Sequence, residues 1–176
     1  MLTLNSEAIA MVTKEQLLSV IEAQADIIIR GLSLQQVMEK MATLAEELTF
    51  ASGAVVEMVE GDEMVYQAAT GKAREQLGLR LKRNNSLSGL CIREGKVLNC
   101  HDAATDPRVD FAACQAVGLT SMLVVPLRFQ DELVGVLKVF SPKQNAFDDV
   151  DAQILDLAAK VISASIVASQ RDKQAG

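Results

Sequence analysis

Ser86 to Leu127, SLSGLCIREGKVLNCHDAATDPRVDFAACQAVGLTSMLVVPL, decides how the rest of this 176-residue chain is read. The stretch alternates short helical pieces with strands, holds all three cysteines and the single histidine, and ends in the most apolar strand of the chain. Ser86 to Gly89 opens a short helix predicted to about Glu94, where Gly95 breaks it. Val97 to Cys100 is a brief strand. Asp106-Pro107 reads as a helix entry, because Pro is tolerated in a first turn and Asp accepts amide hydrogen bonds there. That helix is predicted to about Val117, with Gly118 as its stop. Arg108 is expected to pair with a nearby carboxylate such as Asp102. Ser121 to Leu127 and Leu133 to Ser141 then form a hairpin around Gln130-Asp131-Glu132. Both of its strands are apolar at consecutive positions, Met122 to Val125 and Val134 to Leu137, so both faces of the sheet centre are covered. One cover is assigned to helices at the chain ends, the other to the Ser86–Val117 segment.

Outward from that hairpin, the patterns are regular. Thr13-Lys14-Glu15-Gln16 has capping-box spacing and predicts a helix to about Arg30, stopped by Gly31. Leu17, Ile21, Ala25 and Ile28 form one stripe on it, widened by Leu18 and Ile29. Ser33 and Gln36 repeat the box and open a second helix with Val37, Met41, Leu44, Ala45 and Leu48 on one face. Ala54–Val59 and Glu63–Ala69 read as a hairpin turning at Glu60-Gly61-Asp62. Lys72 to Leu77 makes a short helix stopped by Gly78, and Lys82 to Asn85 reads as polar loop. The last helix starts near Phe147, with Asp148 as its cap. It is apolar along two stripes, through Ile154, Leu157, Ala158 and Val161 and through Leu155, Ile162 and Ile166. A helix of that width covers the sheet and keeps a face to spare, which is expected, with the wide first helix, to seal a homodimer.

Composition narrows the function classes. The net charge of −6 with no basic stripe opposes a phosphate backbone as partner. Only 3% of residues are aromatic and there is no Trp, so stacking platforms for single strands are scarce. No nucleic acid is expected as a partner. Three cysteines, an odd number in a chain long enough to need no staples, fit reduced thiols in the cytoplasm. The N-terminus has no signal-peptide pattern, and no apolar run approaches the roughly 20 residues of a membrane span. Cytoplasmic localisation without membrane contact is the expectation.

Five motifs in order resemble the GAF domain, the small-molecule sensor module of bacterial signalling proteins. They are Ser86-Leu87-Ser88-Gly89, Asp102 with Thr105–Arg108, Gly118 to Leu127, Gly135 to Val139, and Phe147 with Asp151. The resemblance covers Thr13 to Arg171 and is closest in flavour to GAF domains attached to diguanylate cyclases and sensor kinases. It implies an α+β GAF fold: an antiparallel sheet of five or six strands, the N- and C-terminal helices on one face, and a ligand-pocket segment on the other. Residues 1–12 and 172–176 are expected as tails around a single domain at 13–171. The implied role is a ligand-binding sensory module that passes occupancy to an output partner through its terminal helices, with no enzyme activity. Ser86, Ser88, Cys91, Arg108, Phe111, Cys114, Met122 and Lys138 are expected to line or frame the site. Lys138 interrupts an apolar strand and, by alternation, shares a side with Val136 and Phe140. On the pocket side its ammonium would suit an anionic ligand group; otherwise its head escapes to water.

The same residues bear on other chemistries. Gly89-Leu90-Cys91 and Ala112-Ala113-Cys114 resemble two stations of the GAF-type free methionine-(R)-sulfoxide reductases, which attack a sulfoxide with one thiolate and resolve with a second thiol. Those enzymes carry a Glu beside the Val-Val-Pro-Leu strand, where this chain has Ser121-Met122. Cys100-His101 lacks the paired spacings of a zinc site, and it does not sit on the helix that carries a bilin in light-sensing GAF domains. Phe147 and Asp151 match part of the cyclic-nucleotide pattern, but Ala152 replaces its Glu. Neither metal nor cofactor is expected. A ligand-free dimerisation module remains an alternative.

Overall fold

The computed structural model describes residues 11–175, so the expected N-terminal tail lies largely outside the described residues. Two capping boxes start the chain as the spacing predicts. Thr13 and Gln16 bond reciprocally at the head of α1 (Lys14–Arg30), and Ser33 and Gln36 do so at the head of α2 (Leu34–Thr49). Gly31 ends α1 in the left-handed conformation, which costs a glycine nothing. The hairpin of β1 (Gly53–Glu60) and β2 (Glu63–Ala69) follows, then a 3-10 turn at Gly71–Gln76. The expected loop at 82–85 is instead a short edge strand, β3 (Arg80–Lys82), and a second 3-10 turn, Arg83–Asn85. Three residues are too few for an alternation signal; pairing with Glu63, Met64 and Val65 is what makes them a strand.

Next come α3 (Leu87–Glu94), β4 (Leu98–Cys100) and α4 (Phe111–Ala116). The last of these begins later than expected. Asp106 accepts from the backbone and guanidinium of Arg108, which ties it into a turn, so Asp110 caps α4 by accepting from Ala113 N. Arg108 therefore pairs with Asp106 rather than Asp102, whose carboxylate holds Ala104 N and Gln144. The chain closes with β5 (Ser121–Phe129), β6 (Glu132–Ser141) and α5 (Asp149–Gln174). Asp148 and Asp151 form a capping box at the head of α5, and the helix continues beyond the expected boundary at Arg171.

The sheet runs β3-β2-β1-β6-β5-β4 with every pairing antiparallel. Its centre strands β1, β6 and β5 are buried on both faces, as their unbroken apolar runs require. On one face Ala54, Val56, Leu123, Val125, Leu137 and Val139 meet α2 and α5. On the other, Val55, Met64, Tyr66, Met122, Val124, Val136 and Phe140 meet the 87–119 segment. One bulge shapes this second face. Glu57 sits opposite Tyr66 while Val56 sits opposite Ala68, so Gln67 is an extra residue in β2. Without it, Tyr66 and Ala68 would share a face; with it, Tyr66 joins the lid side and Ala68 the helix side.

The stripe read on α1 points outward. Val20, Ala23 and Ile27 are its buried face, while Leu17, Leu18, Ile21, Ile28 and Ile29 are exposed. A shallow groove between α1 and α5 is lined by Ile27, Ile28, Val161, Ala164 and Ala168. Among the described residues, α5 is the one helix long and apolar enough to cross a membrane by length and composition. Its Leu155, Ala158, Ala159, Ile162 and Ile166 are buried in the core shared with the sheet and α2.

Candidate functional site

A cavity of about 320 Å3 lies between the second face of the sheet and the segment that covers it. The strands contribute Tyr66, Met122 and Lys138. The edge around β3 adds Leu79, Leu81 and Lys82, and the head of α3 adds Ser86, Leu87 and Ser88. The α4 region closes it with Val109, Asp110, Cys114, Val117 and Leu119. The surface of this lining is mostly apolar, although Gln76 and Asn85 also reach it, which matches the general pattern of a small-molecule site.

The buried polar groups at the cavity form one cluster. Glu57 on β1 is fully buried, and the Lys138 side chain on β6 is only 8% exposed. Lys138 Nζ lies 2.6 Å from Glu57 Oε1 and donates to Tyr66 Oη at 3.0 Å. Ser88 Oγ, on the first turn of α3, donates to the same Glu57 Oε1 at 2.8 Å. Register explains the convergence. Glu57 is directly opposite Tyr66 on β2 and opposite Val136 on β6, which makes Lys138 its diagonal neighbour. Burial opposes the Lys138 ammonium, but the Glu57 carboxylate beside it outweighs that and, with Tyr66, holds the pKa above the ordinary lysine range. Burial likewise raises the Tyr66 pKa, and the phenol stays protonated. Glu57 Oε2 is buried and has no hydrogen-bond partner among the described residues.

Gly89 seats the lid that carries Ser88. A Cβ at this position would come within 1.6 Å of Arg83 O, so only glycine lets α3 lie against the preceding 3-10 turn. Ser86 caps the helix by accepting from Gly89 N.

Of the eight residues expected at the site, Ser86, Ser88, Cys114, Met122 and Lys138 line the cavity. Three do not. Cys91 is turned into the core, with its thiol 3.1 Å from Lys96 O. Arg108 is held outside by Asp106 and by Asn99 O at 2.8 Å, and Phe111 is exposed. Burial pushes the Cys91 and Cys100 thiols up to about 12 and raises Cys114 as well. Glu57 and Tyr66 were not foreseen. A charge inside the apolar run Ala54 to Val59 was a usable signal for Glu57, whereas the bulge that delivers Tyr66 left no mark in the alternation. Among the described residues no group of three or more His, Cys, Asp or Glu is placed to hold a metal ion.

The GAF domain family model matches residues 31–167, which takes in the sheet, the lid and most of α5. The chain belongs to the GAF domain family. Solved structures agree on the fold. The GAF domain from an Acinetobacter phosphoenolpyruvate-protein phosphotransferase aligns over 93% of this chain and 99% of its own, at TM-score 0.78 and 17% identity. A free methionine-R-sulfoxide reductase from Neisseria meningitidis, solved with its substrate, aligns over 93% and 98%, at TM-score 0.75 and 20% identity. The phycoerythrobilin-bound GAF domain of a cyanobacterial phytochrome aligns over 92% and 100%, at TM-score 0.77 and 16% identity. Protein YtsP of Bacillus subtilis is 30% identical over 88 residues, half of this chain; the matched stretch spans about half the length of that relative (52%). At these identities the solved structures speak for the fold alone. A GAF scaffold is compatible with sensing, with sulfoxide reduction and with chromophore binding, so function rests on the site's own chemistry.

Proposed function

We propose that this GAF domain is a cytoplasmic ligand-binding regulatory module whose site is the cavity beneath α3 and α4. The observation that carries the reading is a preformed cavity of mostly apolar surface, one end of which is a buried polar cluster tied to the lid through Ser88. A ligand there orders the lid and acts on β1 and β6, whose opposite face carries α2 and α5. The terminal helices are the route to an output partner. The exposed stripe of Leu17, Leu18, Ile21, Ile28 and Ile29 on α1, continuous with the groove along α5, supports a homodimer through those helices.

The reductase reading finds one favourable observation, that Cys114 lines the cavity. Against it, a nucleophilic thiol requires a depressed pKa, and burial drives all three thiols the other way. The thiols thus favour binding over thiol chemistry.

Native mass spectrometry of the protein isolated from its own host tests both parts together. The expected result is a dimer that retains a small molecule, released on unfolding. A monomer would overturn the helix seam. A dimer that carries no added mass and whose melting temperature is unmoved by a metabolite library would overturn the sensor reading in favour of a plain dimerisation module.

A further inference from the structure

The polar end of the cavity carries more hydrogen-bond donors than the protein uses. Lys138 Nζ has three hydrogens, and Glu57 Oε1 and Tyr66 Oη take two. Tyr66 Oη accepts one of these, and its own hydrogen finds no acceptor among the described residues. The Ser88 hydroxyl hydrogen is already committed to Glu57. Two hydrogens are thus unspent, both on buried groups that line the cavity. Neither bonds to Glu57 Oε2, the open acceptor of the same cluster, and buried polar groups are almost always satisfied, so both are free for an acceptor in the cavity.

Charge decides which acceptor. Lys138 and Glu57 neutralise each other at 2.6 Å, so the cluster has no net charge to offer an anion. A carboxylate or phosphate would bring a second negative charge beside Glu57, whose Oε2 already lacks a donor. Its desolvation would go uncompensated. A neutral carbonyl oxygen has two in-plane lone pairs and accepts both hydrogens without burying charge. Leu79, Leu81, Val117 and Leu119 give the remainder of the ligand apolar contact, and the other two charges of the lining, Lys82 and Asp110, are of opposite sign. A space of about 320 Å3 lies at the small end of ligand pockets, about 300–1,000 Å3, and suits a compact molecule.

We propose that the cavity takes a compact, uncharged, mostly apolar molecule that presents a carbonyl oxygen to Lys138 and Tyr66. This rests on the ligand-binding reading above and narrows it to a class. The contact is a hydrogen bond and not an imine, because Glu57 keeps the Lys138 amine protonated and without a free electron pair.

Three probes of matched size separate the possibilities: acetophenone, a neutral ketone; benzoate, an anion; and cumene, which has no acceptor. Each is titrated into protein labelled at the methionine methyls, with Met122 in the cavity as reporter. Acetophenone is expected to saturate the Met122 shift with a Kd at least tenfold below those of benzoate and cumene. Tyr66→Phe should weaken acetophenone about tenfold and leave cumene unchanged, which a general loss of folding would not do. If benzoate or cumene equals acetophenone, or if Tyr66→Phe binds it as wild type does, the carbonyl class is overturned while the cavity reading stands. If none of the three moves Met122 up to its solubility limit, both are overturned.

Discussion

Breaking the Glu57–Lys138 pair from one side should be far more damaging than removing it whole. Glu57 is fully buried and the Lys138 side chain nearly so, hence neither charge can turn to water when its partner is lost. Lys138→Met leaves the Glu57 carboxylate with one Ser88 hydroxyl, and Glu57→Leu leaves the ammonium with one phenol. Removing one partner of a buried pair costs about 3–5 kcal/mol. For a domain of this size each kcal/mol moves Tm by about 2–4 °C, so each single variant should melt about 6–20 °C below wild type. The double variant Glu57→Leu/Lys138→Met replaces the pair with apolar volume. It strands only the Ser88 and Tyr66 hydroxyls, for a loss of about 1–2 kcal/mol. Urea unfolding of the four proteins at pH 7 should give a coupling energy of about 3 kcal/mol or more. Single variants that cost less than about 1 kcal/mol, as exposed pairs do, would refute the reasoning, and so would a double variant as unstable as the sum of the singles. Alkali offers a second check. A lysine whose folded pKa is raised contributes stability that is whole below its unfolded value of 10.5 and is lost as pH rises beyond it. The slope is about 1.4 kcal/mol per pH unit. The double variant should lack that slope.

Further outcomes follow from the lid, the caps and the surface. Gly89→Ala pushes a methyl into Arg83 O, so hydrogen exchange should speed up across α3 while α5 keeps its protection; unchanged exchange in α3 would contradict the seating of the lid. Asp151, half-buried beside Asp148, has a pKa raised to about 6 by desolvation. Its protonated form therefore contributes stability that is whole below pH 3.8 and lost as pH rises through about 6. Asp151→Asn keeps the cap acceptor for Asp148 N and should be more stable than wild type above pH 6, with the difference gone below pH 4; equal curves at pH 7 would reject this. Ile28→Glu/Ile29→Glu places charge on side chains 73% and 83% exposed, so the fold should survive while sedimentation shifts from dimer to monomer; a dimer that persists would move the seam elsewhere. At pH 8 a thiol with pKa about 12 is roughly one part in ten thousand thiolate. Iodoacetamide should then label native Cys91 and Cys100 at least a hundredfold more slowly than in urea, and free methionine-(R)-sulfoxide should not be turned over. Turnover that Cys114→Ser abolishes would restore the enzyme reading.

Much of this architecture was legible because it is written in local patterns. The three capping boxes sit where Thr13, Ser33 and Asp148 place them, and Gly31 and Gly95 end helices that their sequences could not otherwise stop. The unbroken apolar runs of β5 and β6 announced a sheet covered twice, and the structure has two cores. What was not legible depends on pairing between distant segments. Arg80 to Lys82 is a strand because β2 offers it an edge, and Asp106 caps no helix because Arg108 claims its carboxylate. The outward turn of Leu17, Ile21 and Ile28 follows from which stripe of α1 meets the core, and period alone assigns no sign to a stripe. At the site, Lys138 was visible as a charge in an apolar strand, yet its partner required the β1–β6 register, and Tyr66 required a bulge at Gln67.

Glu57 and Lys138 also sit where influence can cross the sheet. Each is flanked in its own strand by residues of the opposite core: Val56 and Met58 beside Glu57, Leu137 and Val139 beside Lys138. Those neighbours pack in the cluster that includes Met41, Leu155 and Ile162 of α2 and α5. A shift of β1 against β6 on the cavity side is therefore a shift on the helix side, because close-packed interiors transmit strain. Ser88 adds the lid to the same unit through its bond to Glu57. A ligand that spends the free hydrogens of Lys138 and Tyr66 loads the two strands that support the terminal helices. On the proposed ligand-binding reading, the cluster would be both the polar end of the pocket and the joint between pocket and output. An apolar replacement such as Glu57→Leu/Lys138→Met should keep the fold and lose that joint, so binding of a probe in its cavity should leave hydrogen exchange in α5 unmoved, whereas in the native protein it should slow it.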